Sequence, residues 1–395
     1  MLRDLLVIFV AARLAGELCA RLRQPGVVGE LLAGIIIGPA LLDLVHPTQF
    51  TSLFAELGVV FLLFIVGLET NPTELWRVGR RAAAVGVLGV VLPFGLGYAI
   101  MMALGHNISE RLFVGAALTA TSVGITARVL ADLNLLQTTV ARVILGAAVF
   151  DDILGILVLA VISGMTASTA RVSLWQIGLL AAEAIAFCVL AVTLGRPAVH
   201  RLAPRFSRRA DDAGQQRVFA LAIAICLAFS FLASYVRLAA IVGAFLAGIL
   251  FAETQEAPQL RRSMAPISAL FVPIFFVIVG AHVTLEGLGS PELVAGALIT
   301  VGAIVGKLAG CGLAAVPLGR RNALAVGVGM IPRGEVGLVV ASLGLSRGVI
   351  SGPVYAEVIF MCMITSIMAP PLLRPVLAPR ALPSQEEGPA GEGRP

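Results

Sequence analysis

Apolar stretches follow one another along almost the entire chain, and short polar connections separate them. An α-helix of about 20 apolar residues, rising about 1.5 Å per residue, crosses the hydrocarbon core of a bilayer. We therefore expect an all-α polytopic membrane protein, with a transmembrane domain at 1–378 and a polar cytoplasmic tail at 379–395. The pattern predicts thirteen transmembrane helices, at residues 4–21, 27–45, 53–69, 82–104, 111–131, 139–163, 173–198, 217–235, 238–252, 264–281, 290–316, 321–346 and 354–378.

The composition supports this fold class. Hydrophobic residues make up 58% of the 395 residues and charged residues only 13%, and the mean hydropathy is +0.98. The net charge of +5 comes from arginines that cluster in alternate loops. Such clusters mark the cytoplasmic side of a membrane protein, so the N-terminus is expected outside and the C-terminus in the cytoplasm of a bacterial inner membrane. The same pattern argues against nucleic-acid binding.

The span at 139–163 carries two adjacent acidic residues, Asp151 and Asp152, near its midpoint. One charged side chain at the centre of a bilayer costs about 3 kcal/mol or more, so the pair predicts a functional site rather than structural packing. The two side chains lie about 100° apart around the helix and are expected to border one cavity while facing different neighbours. As carboxylates they would bind a small cation such as Na⁺, and one of them would exchange a proton.

Lys307 is the only lysine in the chain, and it lies deep inside the span at 290–316. A buried ammonium needs an anionic partner or must lose its proton. Asp151 or Asp152 is the simplest candidate for that partner. The alternative is that the side chain extends to the cytoplasmic interface from about nine residues inside the span.

A weak internal repeat divides the chain. Residues 119–135 align with residues 329–345 at a shift of 210, which places Gly124 opposite Gly334. With one linking span between them, the two halves have opposite orientations, as in inverted-repeat transporters. Both aligned segments are rich in Gly, Pro or Thr, so we expect each helix to be interrupted within the membrane; two kinked but continuous helices are the alternative.

Several other charged residues have local interpretations. Arg333 and Glu335 flank Gly334, which favours a structural charge pair at the interruption over ion binding. Four-residue spacing predicts that Arg128 pairs with Asp132 and that Arg13 pairs with Glu17. Glu183 receives no assigned role. The carboxylates expected at membrane interfaces, near span ends, are Glu30, Asp43, Glu56 and Glu69.

Several ordered motifs resemble the cation:proton antiporter superfamily, most closely the NapA-type bacterial sodium/proton antiporters. They include GVVGELLAGIIIGPALL, ELGVVFLLFIVGLET, TATSVGITARVL, VFDDILGILVLA and GMIPRGEVGLVVA. The resemblance implies an inverted-repeat NhaA/NapA-like fold with two crossing broken helices, and a homodimer. It implies a core ion-carrying domain at 82–163 and 290–378, a dimerisation domain at 1–69 and 217–281, and a linking helix at 173–198.

The resemblance also implies residue roles. Asp152 matches the principal ion-binding aspartate, Asp151 the aspartate that pairs with the lysine, and Lys307 that lysine. Thr121 and Ser122 match polar positions of the fifth, interrupted helix and are possible ion ligands. Two aspartates with a lysine are typical of electrogenic members of the family.

We therefore expect a secondary-active antiporter, not an enzyme, that exchanges cytoplasmic Na⁺ or Li⁺ for external H⁺ by an elevator mechanism. Its partners would be monovalent cations, protons, the lipid bilayer and a second copy of the chain. No cofactor is expected, because no Walker motif or complete dinucleotide fingerprint is present. The alternatives are a K⁺/H⁺ antiporter on the same fold, a cation channel, or a symporter of organic anions.

Overall fold

A computed structural model describes residues 2–166, 174–206, 212–283 and 289–377. These residues form fifteen α-helices and one short 3₁₀ helix, Val316–Leu318, with no β-strand among them. The predicted tail at 379–395 lies outside the described residues. The helices are α1 (Leu2–Arg21), α2 (Gly26–Ile37), α3 (Gln49–Glu69), α4 (Pro72–Ala103), α5 (Ile108–Thr119), α6 (Val123–Asp132), α7 (Thr139–Thr166), α8 (Leu174–Phe206), α9 (Asp212–Tyr235), α10 (Ala240–Ala252), α11 (Ala257–Ala281), α12 (Ser290–Ala315), α13 (Arg320–Gly329), α14 (Glu335–Ser346) and α15 (Gly352–Leu377).

The all-helical membrane fold predicted from the sequence is confirmed. Within the described ranges, nine segments are long and apolar enough to cross a membrane, when α5 and α6 are taken as one segment. Three shorter helices, α2, α10 and most of α14, are also apolar. The total of thirteen spans therefore stays a prediction.

The second span is shorter than the sequence predicted. The apolar pattern continues to residue 45, but α2 ends at Ile37, and Gly38 has an extended backbone with φ −79° and ψ −174°. Pro39 follows Gly38 directly. A proline disfavours the helical conformation of the residue before it, which explains why the helix ends there despite the apolar residues beyond.

The fifth and twelfth spans are interrupted, as the sequence predicted. The helix α5 ends at Thr119 and α6 begins at Val123, while α13 ends at Gly329 and α14 begins at Glu335. Pro332 lies inside the second interruption, where it has no N–H group to donate to a helix. The alternative of two continuous, kinked helices is wrong.

Helix packing separates two sets of helices, and α8 contacts both. The first helix group contains α1, α2, α3, α9, α10 and α11, and the second helix group contains α4 to α7 and α12 to α15. Within the first group, glycines bring backbones into direct contact. A Cβ atom on Gly34 would lie 2.0 Å from the carbonyl oxygen of Val277, and one on Gly67 would lie 2.3 Å from that of Phe245. Only glycine permits such close crossings.

One ion pair predicted for α1 is wrong. Glu17 pairs with Arg21 at 3.2 Å, whereas Arg13 Nη2 donates to the carbonyl oxygen of Ala269 in α11 at 2.6 Å. Ala269 lies four residues before Pro273, which cannot donate the usual helical hydrogen bond to this carbonyl. Arg13 therefore satisfies a carbonyl that a proline leaves free, which helical spacing within α1 could not reveal.

Candidate functional site

A buried ion pair joins α7 to α12 in the second helix group. Lys307 Nζ donates to Asp151 Oδ1 at 3.0 Å, and the side chains are only 0% and 2% exposed. Lys307 therefore does not reach the interface, and the predicted alternative for it is wrong. The helix α4 makes room for the ammonium at Gly89, where a Cβ atom would lie 3.5 Å from Nζ. A buried charge pair of this kind is costly unless it is well paired, so its presence within a membrane domain points to function.

Asp152 faces a different neighbourhood from Asp151. It is half-buried and lines a small, partly open cavity between the two helix groups. Helices α3 and α10 form one wall, while α6 and α7 form the other. The two aspartates were expected to border one cavity, but only Asp152 lines this one, because Asp151 turns towards Lys307. The cavity is otherwise lined by Leu63, Val123, Leu145, Ala148, Val149, Ile241, Val242 and Phe245.

The two helix interruptions lie against each other next to this site. The backbone N–H of Ser122 donates to the carbonyl oxygen of Pro332 at 2.8 Å, and Thr126 Oγ1 donates to that of Gly329 at 2.6 Å. A Cβ atom on Gly334 would lie 2.7 Å from Ser122 Oγ, so any larger residue at this position would displace the Ser122 side chain. Each interruption thus satisfies backbone groups of the other, which lets non-helical backbone exist at membrane depth.

Arg333 neutralises the ends of two helices at the crossing. Its side chain is fully buried and donates to the carbonyl oxygens of Leu118 at 2.6 Å, Met330 at 3.1 Å and Ile331 at 3.2 Å. These carbonyls belong to the C-terminal ends of α5 and α13, where the helix dipole is negative and a cation is stabilising. This arrangement agrees with a structural role. The side chain of Glu335 lies outside the described part of the chain, so the Arg333–Glu335 pair stays a prediction.

Arg333→Gln is expected to lower the thermal stability of the protein. Each hydrogen bond from a charged group contributes about 1.5–3 kcal/mol, and the shorter amide cannot reach both helix ends, so we expect a loss of about 3 kcal/mol or more. Thermal unfolding in detergent measures this loss. The control is Arg347→Gln, which removes an exposed arginine just beyond α14. Equal melting temperatures for the two variants would contradict the role of Arg333 as a cap.

The other predicted ligand residues lie in the extended segment between α5 and α6. Thr121 and Ser122 are 4% and 1% exposed, and they directly precede Val123 in the wall of the Asp152 cavity. Thr121 Oγ1 is buried and has no hydrogen-bond partner among the described residues. An oxygen in this condition is available to a ligand, although the ligand role itself stays a prediction.

The buried carboxylates that sequence reasoning missed include two that lie within apolar spans. Glu30, expected at the interface, is 5% exposed, and Glu357 in α15 is 3% exposed. The sequence context could have revealed their burial, since each is surrounded by apolar residues within a span. The predicted pair of Arg128 and Asp132 is present at 3.1 Å. Glu183 is exposed on the surface of α8.

The chain is similar to known proteins along nearly its whole length. A family described as sodium/hydrogen exchanger, transmembrane, matches residues 5–378. The chain is 39% identical to the high-affinity Na⁺/H⁺ antiporter NhaS3 of Synechocystis sp., covering 95% of this chain and 89% of that protein. It is 35% identical to the Na⁺/H⁺-K⁺ antiporter GerN of Bacillus cereus, covering 93% of this chain and 94% of that protein.

A solved structure also has a similar fold. The sodium/proton antiporter MjNhaP1 from Methanocaldococcus jannaschii matches with a TM-score of 0.65, covering 93% of this chain and 94% of that chain. The sequence identity is 19%, so this likeness concerns the fold alone.

Proposed function

The chain belongs to the sodium/hydrogen exchanger family, and from this premise we propose that it exports Na⁺ or Li⁺ from the cytoplasm in exchange for external H⁺. The observation that carries the proposal is the position of Asp152, on a cavity between two helix groups and beside a buried Asp151–Lys307 pair. The transported ions are substrates, and the proposal involves no resident cofactor.

Competition at Asp152 explains exchange in chemical terms. Ionised, its carboxylate provides hard oxygen ligands for a small cation, and Thr121 Oγ1 and backbone carbonyls of the interruption are suitable additional ligands. Protonated, the same group carries a proton and no longer attracts the cation. Because one site holds either Na⁺ or H⁺, movement of the occupied site in both directions produces antiport.

Lys307 makes the exchange electrogenic in this proposal. When Na⁺ binds near Asp151 and Asp152, the ammonium leaves its pair and releases a proton. When the cation departs, Lys307 takes up a proton and the pair with Asp151 forms again. Two protons then move for each Na⁺, and net charge crosses the membrane. The burial of both partners supports this role, because a low-dielectric site makes the ammonium sensitive to its neighbours.

The separation into two helix groups supports an elevator movement. The second helix group would be the core ion-carrying domain, at 82–163 and 290–378, and would carry Asp152 past the first helix group, the dimerisation domain at 1–69 and 217–281. The cavity that contains Asp152 lies on the boundary between them. The positively charged loops support an N-terminus outside and a C-terminus in the cytoplasm of a bacterial inner membrane. We also propose a homodimer, assembled through the first group.

The inverted repeat receives support from a second small cavity. Val149 and Asp152 of α7 line the first cavity, and Ile359 and Cys362 of α15 line the second, at the same shift of 210 residues. Helices α2 and α11 form its wall where α10 and α3 form that of the first. On this reading α5 and α6 are two halves of one span, as are α13 and α14, which gives thirteen spans.

K⁺/H⁺ exchange is the second candidate function. The observation in its favour is the 35% identity to GerN, whose name includes K⁺ as well as Na⁺. Discrimination between these ions depends on small differences in the size of the site and in the number of its ligands.

Proton movement in proteoliposomes tests the proposed function. We expect Na⁺ or Li⁺ to dissipate an imposed pH gradient and K⁺ to have a much smaller effect. Vesicles without protein are the control. An effect of K⁺ alone would assign the chain to K⁺/H⁺ exchange, and no effect of any cation would contradict antiport.

A further inference from the structure

A charge pair between the buried Glu30 and the partly exposed Arg128 connects the two helix groups at the end of the molecule that we propose to be cytoplasmic. We propose that Glu30 of α2 and Arg128 of α6 form a latch, which closes this end in the described conformation and separates in every exchange cycle. The inference rests on the proposed elevator movement, because a latch matters only if the two groups move relative to each other.

Glu30 is enclosed by the first helix group. The residue is only 5% exposed, and a Cβ atom on Gly16 of α1 would lie 3.7 Å from its Cγ. Its Oε2 atom is buried and has no hydrogen-bond partner in the described parts of the chain. A carboxylate with so few hydrogen-bond partners is costly to bury, so it depends on positive charge nearby.

Arg128 supplies this charge from the second helix group. Its Nη2 atom lies 4.0 Å from Glu30 Oε1, while its Nε atom lies 3.1 Å from an oxygen of Asp132 in the same helix. Arg13 of α1 is the other cation whose charge acts on Glu30. Arg128 therefore has a partner that moves with it, Asp132, and a partner that does not, Glu30.

The location of the pair connects it to the transport site. Arg128 lies five residues after Val123, about 7.5 Å further along α6, and Val123 lines the cavity of Asp152. A second polar contact joins the two groups at the same end, where Arg374 of α15 donates to the carbonyl oxygen of Arg23, between α1 and α2. Movement of α6 past α2 would pull Arg128 away from Glu30 and admit water between them.

Reversible cross-linking tests whether the pair separates. In a variant without the five native cysteines, Glu30→Cys and Arg128→Cys are joined by a short cleavable thiol reagent. The control joins Glu74→Cys to Arg142→Cys, because that pair, at 3.0 Å, connects α4 and α7 within the second group. We expect the first cross-link to slow exchange about tenfold or more, with recovery after reduction, and the control cross-link to leave exchange unchanged. Full exchange with the first cross-link intact would overturn the latch.

Neutral variants give a second, independent test. Glu30→Gln keeps the size of the side chain and leaves Arg128 paired with Asp132, so we expect it to fold normally. Because the pair no longer has to break, exchange should become about threefold faster, with an unchanged KM for Na⁺. Arg128→Gln leaves Glu30 without its partner on α6 and should lower the melting temperature. Addition of Glu30→Gln to this variant should restore it. If the changes in melting temperature of the two single variants simply add in the double variant, Glu30 and Arg128 are not paired.

The two proposals fail in different ways. If the unmodified protein moves no protons with any cation, the proposed function is wrong, while the melting of the Gln variants still shows whether Glu30 and Arg128 are coupled. If the unmodified protein exchanges normally and the cross-link at 30 and 128 has no effect, antiport stands and the latch is wrong.

Discussion

Asp152→Asn is expected to reduce Na⁺-dependent proton movement in proteoliposomes about a hundredfold or more. The change is nearly isosteric, so the cavity and its walls should remain. The amide, however, neither carries a negative charge for Na⁺ nor takes up and releases a proton. Both halves of the exchange cycle therefore fail together, which is a larger effect than the loss of any single ligand oxygen would produce.

The matched control for this experiment is Glu357→Gln. Glu357 is a buried carboxylate at 3% exposure on α15, and it does not line the cavity of Asp152. This variant should exchange at the normal rate, which would show that loss of a buried acid alone does not stop transport. Comparable melting of both variants excludes misfolding. Na⁺-dependent proton movement in Asp152→Asn clearly above that of empty vesicles would contradict the role of Asp152.

The location of the site was predictable because charge is rare and costly in a membrane. Asp151, Asp152 and Lys307 stood out in apolar spans for this reason alone. Which aspartate pairs with Lys307 was not predictable from spacing, since both lie on α7 and face different sides. The family resemblance indicated Asp151, and the structure places Lys307 Nζ 3.0 Å from it.

The helices were predictable where the length of an apolar stretch and the positions of glycine or proline indicate the same helix ends. The partners of side chains that act between helices were not predictable in this way. Arg13 bonds the carbonyl of Ala269 in α11 instead of Glu17 on its own helix. Glu30 is buried because Gly16 and α6 cover it, and neither is close to it in sequence. Local spacing describes one helix at a time, whereas the partners of these residues depend on the tertiary arrangement.

The two crossing helix interruptions bring helix ends of opposite charge close to Arg333 and Asp152. The carbonyl ends of α5 and α13 meet at Arg333, which donates to both. The N-terminal ends of α6 and α14 then begin at the crossing, and their positive dipoles favour negative charge. Arg333 thus provides a positive charge at the crossing, whereas in the proposed mechanism the charge of Asp152 changes when a proton or a cation binds.

Lys307→Ala is expected to affect both stability and charge movement. Removal of the ammonium leaves Asp151 buried at 2% side-chain exposure without its partner. Loss of one member of a buried pair costs about 3–5 kcal/mol, so the melting temperature should fall markedly. In the proposed mechanism Lys307 also carries the second proton. Exchange that remains should therefore move no net charge, as measured by currents on a solid-supported membrane.

A double replacement separates these two effects. Lys307→Met combined with Asp151→Leu replaces the pair by apolar side chains, and such replacements of buried ion pairs are often neutral or stabilising. We expect this variant to melt near the temperature of the unmodified protein. Na⁺/H⁺ exchange that this variant supports through Asp152 alone should still move no net charge. Because the fold is then intact, the absence of current can be attributed to the missing proton carrier. Normal currents from either variant would show that Lys307 is not that carrier, and the pair would then serve stability alone.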